Sequence, residues 1–203
     1  MTTMLKDRYF IINKPYNMVS QFRSSDDVGL LGDLDFDFPT GTHAIGRLDN
    51  HSEGLLILTT NKRVTRLLFD PAKQHKRVYL VQVNNILSKE NLEKLRTGVS
   101  IKIENGEIYK TPPCVVEIIP EATLVYPFVV DKKEYGPHTW LRIVLTEGKF
   151  RQVRKMMAAV RHQCKRLIRI SIEGLELEGL QPGNVREIEE KDFFKMLNIE
   201  YEK

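Results

Sequence analysis

Short apolar runs, rich in β-branched and aromatic residues, alternate with Gly, Pro, Asn and Asp along this 203-residue chain. The first, Tyr9-Phe10-Ile11-Ile12, predicts a strand that Asn13-Lys14-Pro15 ends in a turn. Residues 23–42 carry Ser, Asp, Gly and Pro with weak periodicity and predict a long loop with at most one helical turn. His43-Ala44-Ile45 and Leu55 to Thr59 predict two strands flanking a loop from Gly46 to Gly54. Asn61 predicts an N-cap for a helix from Lys62 to Phe69, with Val64, Leu67 and Leu68 on one face and Asp70-Pro71 as its end.

Lys76 to Val83 has the content of a strand, with Tyr79, Val81 and Val83 on one side. Ser88 predicts the cap and Gly98 the stop of a helix from Lys89 to Arg96. Val99 to Ile103, Glu107 to Lys110, Cys114 to Ile119 and Thr139 to Leu145 predict further strands, and residues 131–138 a polar hairpin tip. A helix is expected from Gln152 to about His162, with Val153, Met156, Met157 and Val160 as its apolar stripe. Leu167 to Ile172 predicts a strand, Leu175 to Ile188 a hairpin, and Lys191 to Leu197 a last helix. The class is α+β: a mixed, mostly antiparallel sheet with few helices, forming a single domain over residues 1–203.

Composition fits a soluble globular chain, with 41% hydrophobic and 29% charged residues. No apolar run approaches the ~18 residues of a membrane helix. The N-terminus lacks the layout of a signal peptide. Cys114 and Cys164 are far apart, without metal-ligand spacing, and are expected as thiols in a reducing, cytoplasmic setting. A monomer is the default expectation. A net charge of +4 is by itself a weak sign of a polyanionic partner. Its distribution is stronger: Lys149, Arg151, Arg154, Lys155, Arg161, Lys165, Arg166 and Arg169 form a stretch with no acid. A second basic stretch runs from Lys62 to Arg77, with Asp70 as its single acid. Segregated charge predicts a basic face.

Two places carry candidate chemistry. Asp49 sits at the tip of a Gly-bounded loop, two residues after Arg47 and just before an apolar strand. A rigid strand base and turn-forming glycines suit a working carboxylate. Taken alone, an ordinary polar hairpin is the commoner reading of such a loop. Arg151, Arg154 and Lys155 crowd the first turns of a helix whose dipole end is already positive, which asks for a phosphate or a protein carboxylate nearby.

Three stretches, Gly46-Arg47-Leu48-Asp49 with Ser52-Glu53-Gly54-Leu55-Leu56, then Lys76-Arg77-Val78-Tyr79, then Glu147 through Met156, resemble the ribosomal small-subunit pseudouridine synthase A family of RNA-modifying enzymes. Strand Tyr9 to Ile12 leaves no room for an S4 domain, so the likeness is greatest to the S4-less branch of large subunit pseudouridine synthase E. The resemblance implies the pseudouridine synthase fold, with two lobes around a central cleft, and neither cofactor nor metal. It implies Asp49 as catalytic aspartate, Tyr79 as active-site tyrosine, Arg154 as the basic residue that pairs with the aspartate, and Arg47 as support for a flipped-out base. Lys76, Lys149, Arg151 and Lys155 are expected to bind RNA, with 23S ribosomal RNA ahead of transfer RNA and small-subunit RNA. Two rival readings stand beside this one. A non-catalytic RNA-binding module would use the same basic face. A hydrolase would pair Asp49 with Glu53, although Glu53 suits loop support better.

Overall fold

The computed structural model describes residues 6–25, 27–70, 72–124, 126 and 136–201. In chain order the elements are β1 (Tyr9–Lys14), β2 (His43–Ile45), β3 (Glu53–Thr59), α1 (Val64–Leu68), β4 (Arg77–Asn84), α2 (Lys89–Thr97), β5 (Ser100–Lys102) and β6 (Ile108–Lys110). They continue with β7 (Val115–Ile119), β8 (His138–Leu145), α3 (Gln152–Ala159), β9 (Cys164–Ile172), β10 (Leu175–Glu176), β11 (Val185–Ile188) and α4 (Glu190–Met196). The class is α+β, as the pattern predicts. Every strand pairing with a described register is antiparallel, and Met18–Gly29 makes an isolated parallel bridge. Among the described residues no helix is long and apolar enough to cross a membrane. The chain divides into two compact units, one of residues up to His75 and from Ser171 onward, the other of Lys76–Ile170.

In the first unit the strands run β11-β1-β3. All six residues of β1 and all seven of β3 are buried. Asn13 and Lys14 extend β1 rather than ending it, and Pro15 makes the break. The loop of residues 23–42 holds one 3-10 turn at Leu31–Asp33. Its polar composition hides its packing: Leu31, Leu34, Phe36 and Phe38 join a cluster with Phe10, Ile12, Leu56 and Leu58. The expected helix from Lys62 starts two residues late, because the Asn61 side chain accepts from the Arg63 amide in a local turn.

The expected hairpin between residues 175 and 188 does not form. Leu175 and Glu176 fold back on Ile172 and Ser171, through a tight turn in which Glu173 has φ +49°. β11 pairs instead with β1, Tyr9 opposite Ile188. A fully buried β1 would otherwise present a row of unpaired edge groups. α4 lays Phe193 and Phe194 on the ring of Tyr9, at centroid distances of 4.6 and 5.4 Å.

In the second unit the order is β9-β4-β8-β7, with β5 and β6 as a separate pair. β4 is buried from Arg77 to Val83, so both its faces are covered and its alternation is only partial. α2 has the predicted ends. The Ser88 hydroxyl accepts from the Asn91 amide at 3.1 Å. Gly98 stops the helix at φ +101°, where a Cβ would stand 2.1 Å from the Thr111 carbonyl oxygen. α3 stops at Ala159, short of His162. Arg161 turns left-handed at φ +61°, and the His162 amide reaches back to the Met157 carbonyl. The predicted tip at residues 131–138 falls largely outside the described residues.

Candidate active site

The loop between β2 and β3 is held from three sides. At its start Gly46 has φ +71°, and a Cβ there would come 2.8 Å from the Phe69 ring, so only glycine lets that ring close on the backbone. One residue before Asp49, the Leu48 amide donates to the Ser20 hydroxyl and the Leu48 carbonyl accepts from it, both at 2.9 Å. At the far side the Ser52 amide donates to the Asp49 carbonyl at 2.9 Å. Lys14, fully buried, sends its ammonium to the carbonyls of Met18 at 2.6 Å, Pro15 at 2.8 Å and Asn50 at 3.4 Å. A buried cation survives only with such a donor shell filled. The backbone around Asp49 is therefore preset, while its side chain is half-buried and Arg47 is exposed. Glu53 is buried as the first residue of β3.

In the second unit, Tyr79 projects from β4 at 8% exposure. Its hydroxyl is hydrogen-bonded with the guanidinium of Arg169 on β9. Burial pushes the Arg169 guanidinium down from its usual value, and the Tyr79 contact opposes that. Sequence reasoning counted Arg169 only among the basic face. Its signal was a lone charge within the apolar run Leu167-Ile168-Arg169-Ile170. Arg77 and Arg166 are buried as well. Arg154, half-buried on α3, donates through Nη1 to the Cys164 carbonyl at 3.3 Å. Burial pushes the Cys164 thiol up to about 11, against the pull of Arg154 and Arg151.

The carboxylate that precedes α3 is bound by neutral groups. Glu147 accepts from the Tyr109 hydroxyl at 2.6 Å and from the Gln152 amide at 2.5 Å, and Gln152 in turn accepts from the Lys149 amide at 2.9 Å. That bond to Glu147, with burial, holds the Tyr109 phenol up at about 12. Lys149 lies over the Tyr109 ring and Lys155 over the Phe150 ring, each at 5.1 Å. Arg151 is left-handed and exposed at φ +53°, and Lys76 is exposed. Tyr79, Arg154 and the expected RNA-binding lysines thus belong to one unit, Asp49 and Arg47 to the other.

A held carboxylate loop, a tyrosine tied to a buried arginine and an array of cations are compatible with chemistry on a polyanion. A family model described as RNA pseudouridylate synthase matches residues 8–159, which include Asp49, Tyr79 and Arg154. The chain belongs to the RNA pseudouridylate synthase family. It is an isomerase that acts on RNA. It is 36% identical over 174 residues to a ribosomal large subunit pseudouridine synthase E of Xanthomonas axonopodis pv. citri, covering 85% of this chain and 89% of that one. A protein of the same name from Vibrio parahaemolyticus is 38% identical, over 90% of this chain and 74% of its own length. Ribosomal small subunit pseudouridine synthase A of Escherichia coli is 28% identical, over 91% of this chain and 72% of its own length. The fold matches a crystal structure of a pseudouridylate synthase with a TM-score of 0.76, over 97% of this chain and 76% of that one, at 24% identity.

Proposed function

We propose that this synthase isomerises a uridine of large-subunit ribosomal RNA, with Asp49 as its catalytic carboxylate, Tyr79 as the aromatic residue that stacks on and orients the base, and Arg154 as a catalytic cation. The likeness to the two large subunit synthase E relatives supports the choice of RNA. The single observation that supports Asp49 is the preset backbone around it: a side chain on a loop this tightly tied loses little order when it meets a substrate.

The reaction breaks the bond between uracil nitrogen 1 and the sugar, turns the base, and joins carbon 5 to the same sugar carbon. Carbon 5 loses a proton and nitrogen 1 gains one, so nothing is oxidised and nothing leaves. Asp49 is the carboxylate offered to the sugar. It stabilises positive charge on the sugar or attacks it. Tyr79 acts by stacking and orienting the base. The uridine must leave its helix first, at a cost of about a few kcal/mol. Arg47, Lys76, Lys149, Arg151 and Lys155 hold the RNA meanwhile, through its phosphates. The enzyme works as a cytoplasmic monomer, one domain over residues 1–203.

The test is tritium release from RNA labelled at carbon 5 of uridine. Asp49→Asn is expected to abolish it while RNA binding persists; substantial release by the variant refutes the role. Pseudouridine mapping of ribosomal and transfer RNA, from cells with and without the gene, tests the substrate: a site lost only outside large-subunit RNA refutes that choice.

A further inference from the structure

A second concave site lies in the first unit, away from the residues assigned so far. Arg63, Arg66, Leu67, Phe69, Asp70, Glu200 and Tyr201 line a cavity of about 670 Å³. Its floor is built and rigid. Tyr201 stacks on Phe194 at 4.0 Å with the rings 10° apart. The Tyr201 hydroxyl accepts from the buried Asn61 side chain at 2.9 Å and from Arg63, whose guanidinium lies 4.7 Å over the Tyr201 ring. Arg66 is exposed and has no hydrogen bond or ion pair among the described residues. Phe69 is 45% exposed, a large apolar ring kept at the surface. Its other side covers Gly46, so the cavity wall and the base of the Asp49 loop share one side chain.

The geometry points to a nucleotide-binding subsite for the RNA substrate itself, seating a single unstacked nucleotide that neighbours the target uridine. The chemistry of the lining matches the parts of a nucleotide. Arg66 is the cation for its phosphate. Phe69 and the outer face of the Arg63 guanidinium, backed by Tyr201, offer surfaces for a base. Asp70 and Glu200 are acceptors without donors to offer, which favours a base with an exocyclic amino group over uracil. The Asp70 carboxylate already accepts from the Ala72 amide at 3.0 Å, which leaves its second oxygen for that role. This subsite rests on the RNA-isomerising reading above and adds to it a means of choosing sequence context.

Kinetics on tritiated transcripts of large-subunit RNA test it, with full-length enzyme. Arg66→Gln is expected to raise KM about tenfold with kcat kept, and to lower the salt slope of binding by ~0.7, the share of one phosphate on single-stranded RNA. Glu200→Gln is expected to narrow the difference in kcat/KM between transcripts with cytidine and with uridine at the contacted neighbour. Titration with cytidine 5′-monophosphate, uridine 5′-monophosphate and inorganic phosphate, followed by amide NMR shifts, should move residues around Phe69 most with the cytidine nucleotide. Unchanged KM and salt slope in Arg66→Gln, with active wild type, overturn the subsite alone. An inactive wild type on these transcripts overturns instead the choice of large-subunit RNA beneath it.

Discussion

Replacing Ser20 by Ala isolates the support of the Asp49 loop from the chemistry proposed for it. Ser20 is 7% exposed, and its hydroxyl serves both polar backbone groups of Leu48, itself 8% exposed. The substitution removes two hydrogen bonds and leaves a buried N–H and a buried C=O without that partner. Each such group costs about 1–3 kcal/mol when water does not reach it, and partial relaxation of the loop brings the whole to about 2 kcal/mol. For a chain of this size, that lowers Tm by ~4–8 °C. Asp49 follows Leu48 directly, so relaxation displaces the carboxylate. A shift of ~1 Å in a reacting group costs on the order of a hundredfold in rate. Tritium release measured at saturating RNA should therefore show kcat down between about ten- and a hundredfold. KM should hold, since Ser20 is too buried to touch RNA. Wild-type kcat together with wild-type Tm would refute the view that this serine positions Asp49.

Three further outcomes follow from the same geometry. Gly46→Ala combines a left-handed backbone, worth about 1–2 kcal/mol for a residue with a side chain, with the approach to Phe69; Tm should fall, and adding Phe69→Leu should recover the steric part. No recovery would mean the ring is not the obstacle. Arg154→Met should cut tritium release at least a hundredfold while losing only about 1 kcal/mol of stability, the value of its bond to the Cys164 carbonyl; normal turnover would remove Arg154 from the mechanism. Cys164, with a folded value of about 11 above its ordinary 9.0, holds its proton more tightly when folded. Its contribution is complete below about pH 9 and is lost as pH rises toward 11. Denaturant unfolding at intervals over that range should show a steeper decline in wild type than in Cys164→Ala, and parallel curves would discard the thiol as the cause.

Much of the molecule was legible locally. β3, β4, β8 and β9 follow from apolar runs, and α2 from a Ser cap and a Gly stop ten residues after it. Cations at the start of α3 break a local rule that sequence alone can check, whereas Asp49 and Tyr79 stood out only through the motifs shared with the family. Pairing was less legible. Val185–Ile188 lies beside Tyr9–Ile12, some 175 residues earlier, and nothing near β11 in the chain announces a buried edge that needs covering. The expected hairpin failed for that reason.

What the amino-acid sequence determined by itself is therefore the class of elements, their limits to within a few residues, and the motifs that mark the family. Propensity, capping and turn chemistry act over a handful of neighbours, so they can be read in order. Only the tertiary structure decided which groups serve those motifs. It buried Lys14 under the carbonyls of Pro15, Met18 and Asn50, tied Leu48 to Ser20, set Phe69 against Gly46 and placed Arg169 against Tyr79. Apart from the local contacts of Lys14 with Pro15 and Met18, each of these joins residues far apart in the chain. Each forms because a buried polar group or a close backbone approach must be satisfied by whatever the fold brings within reach.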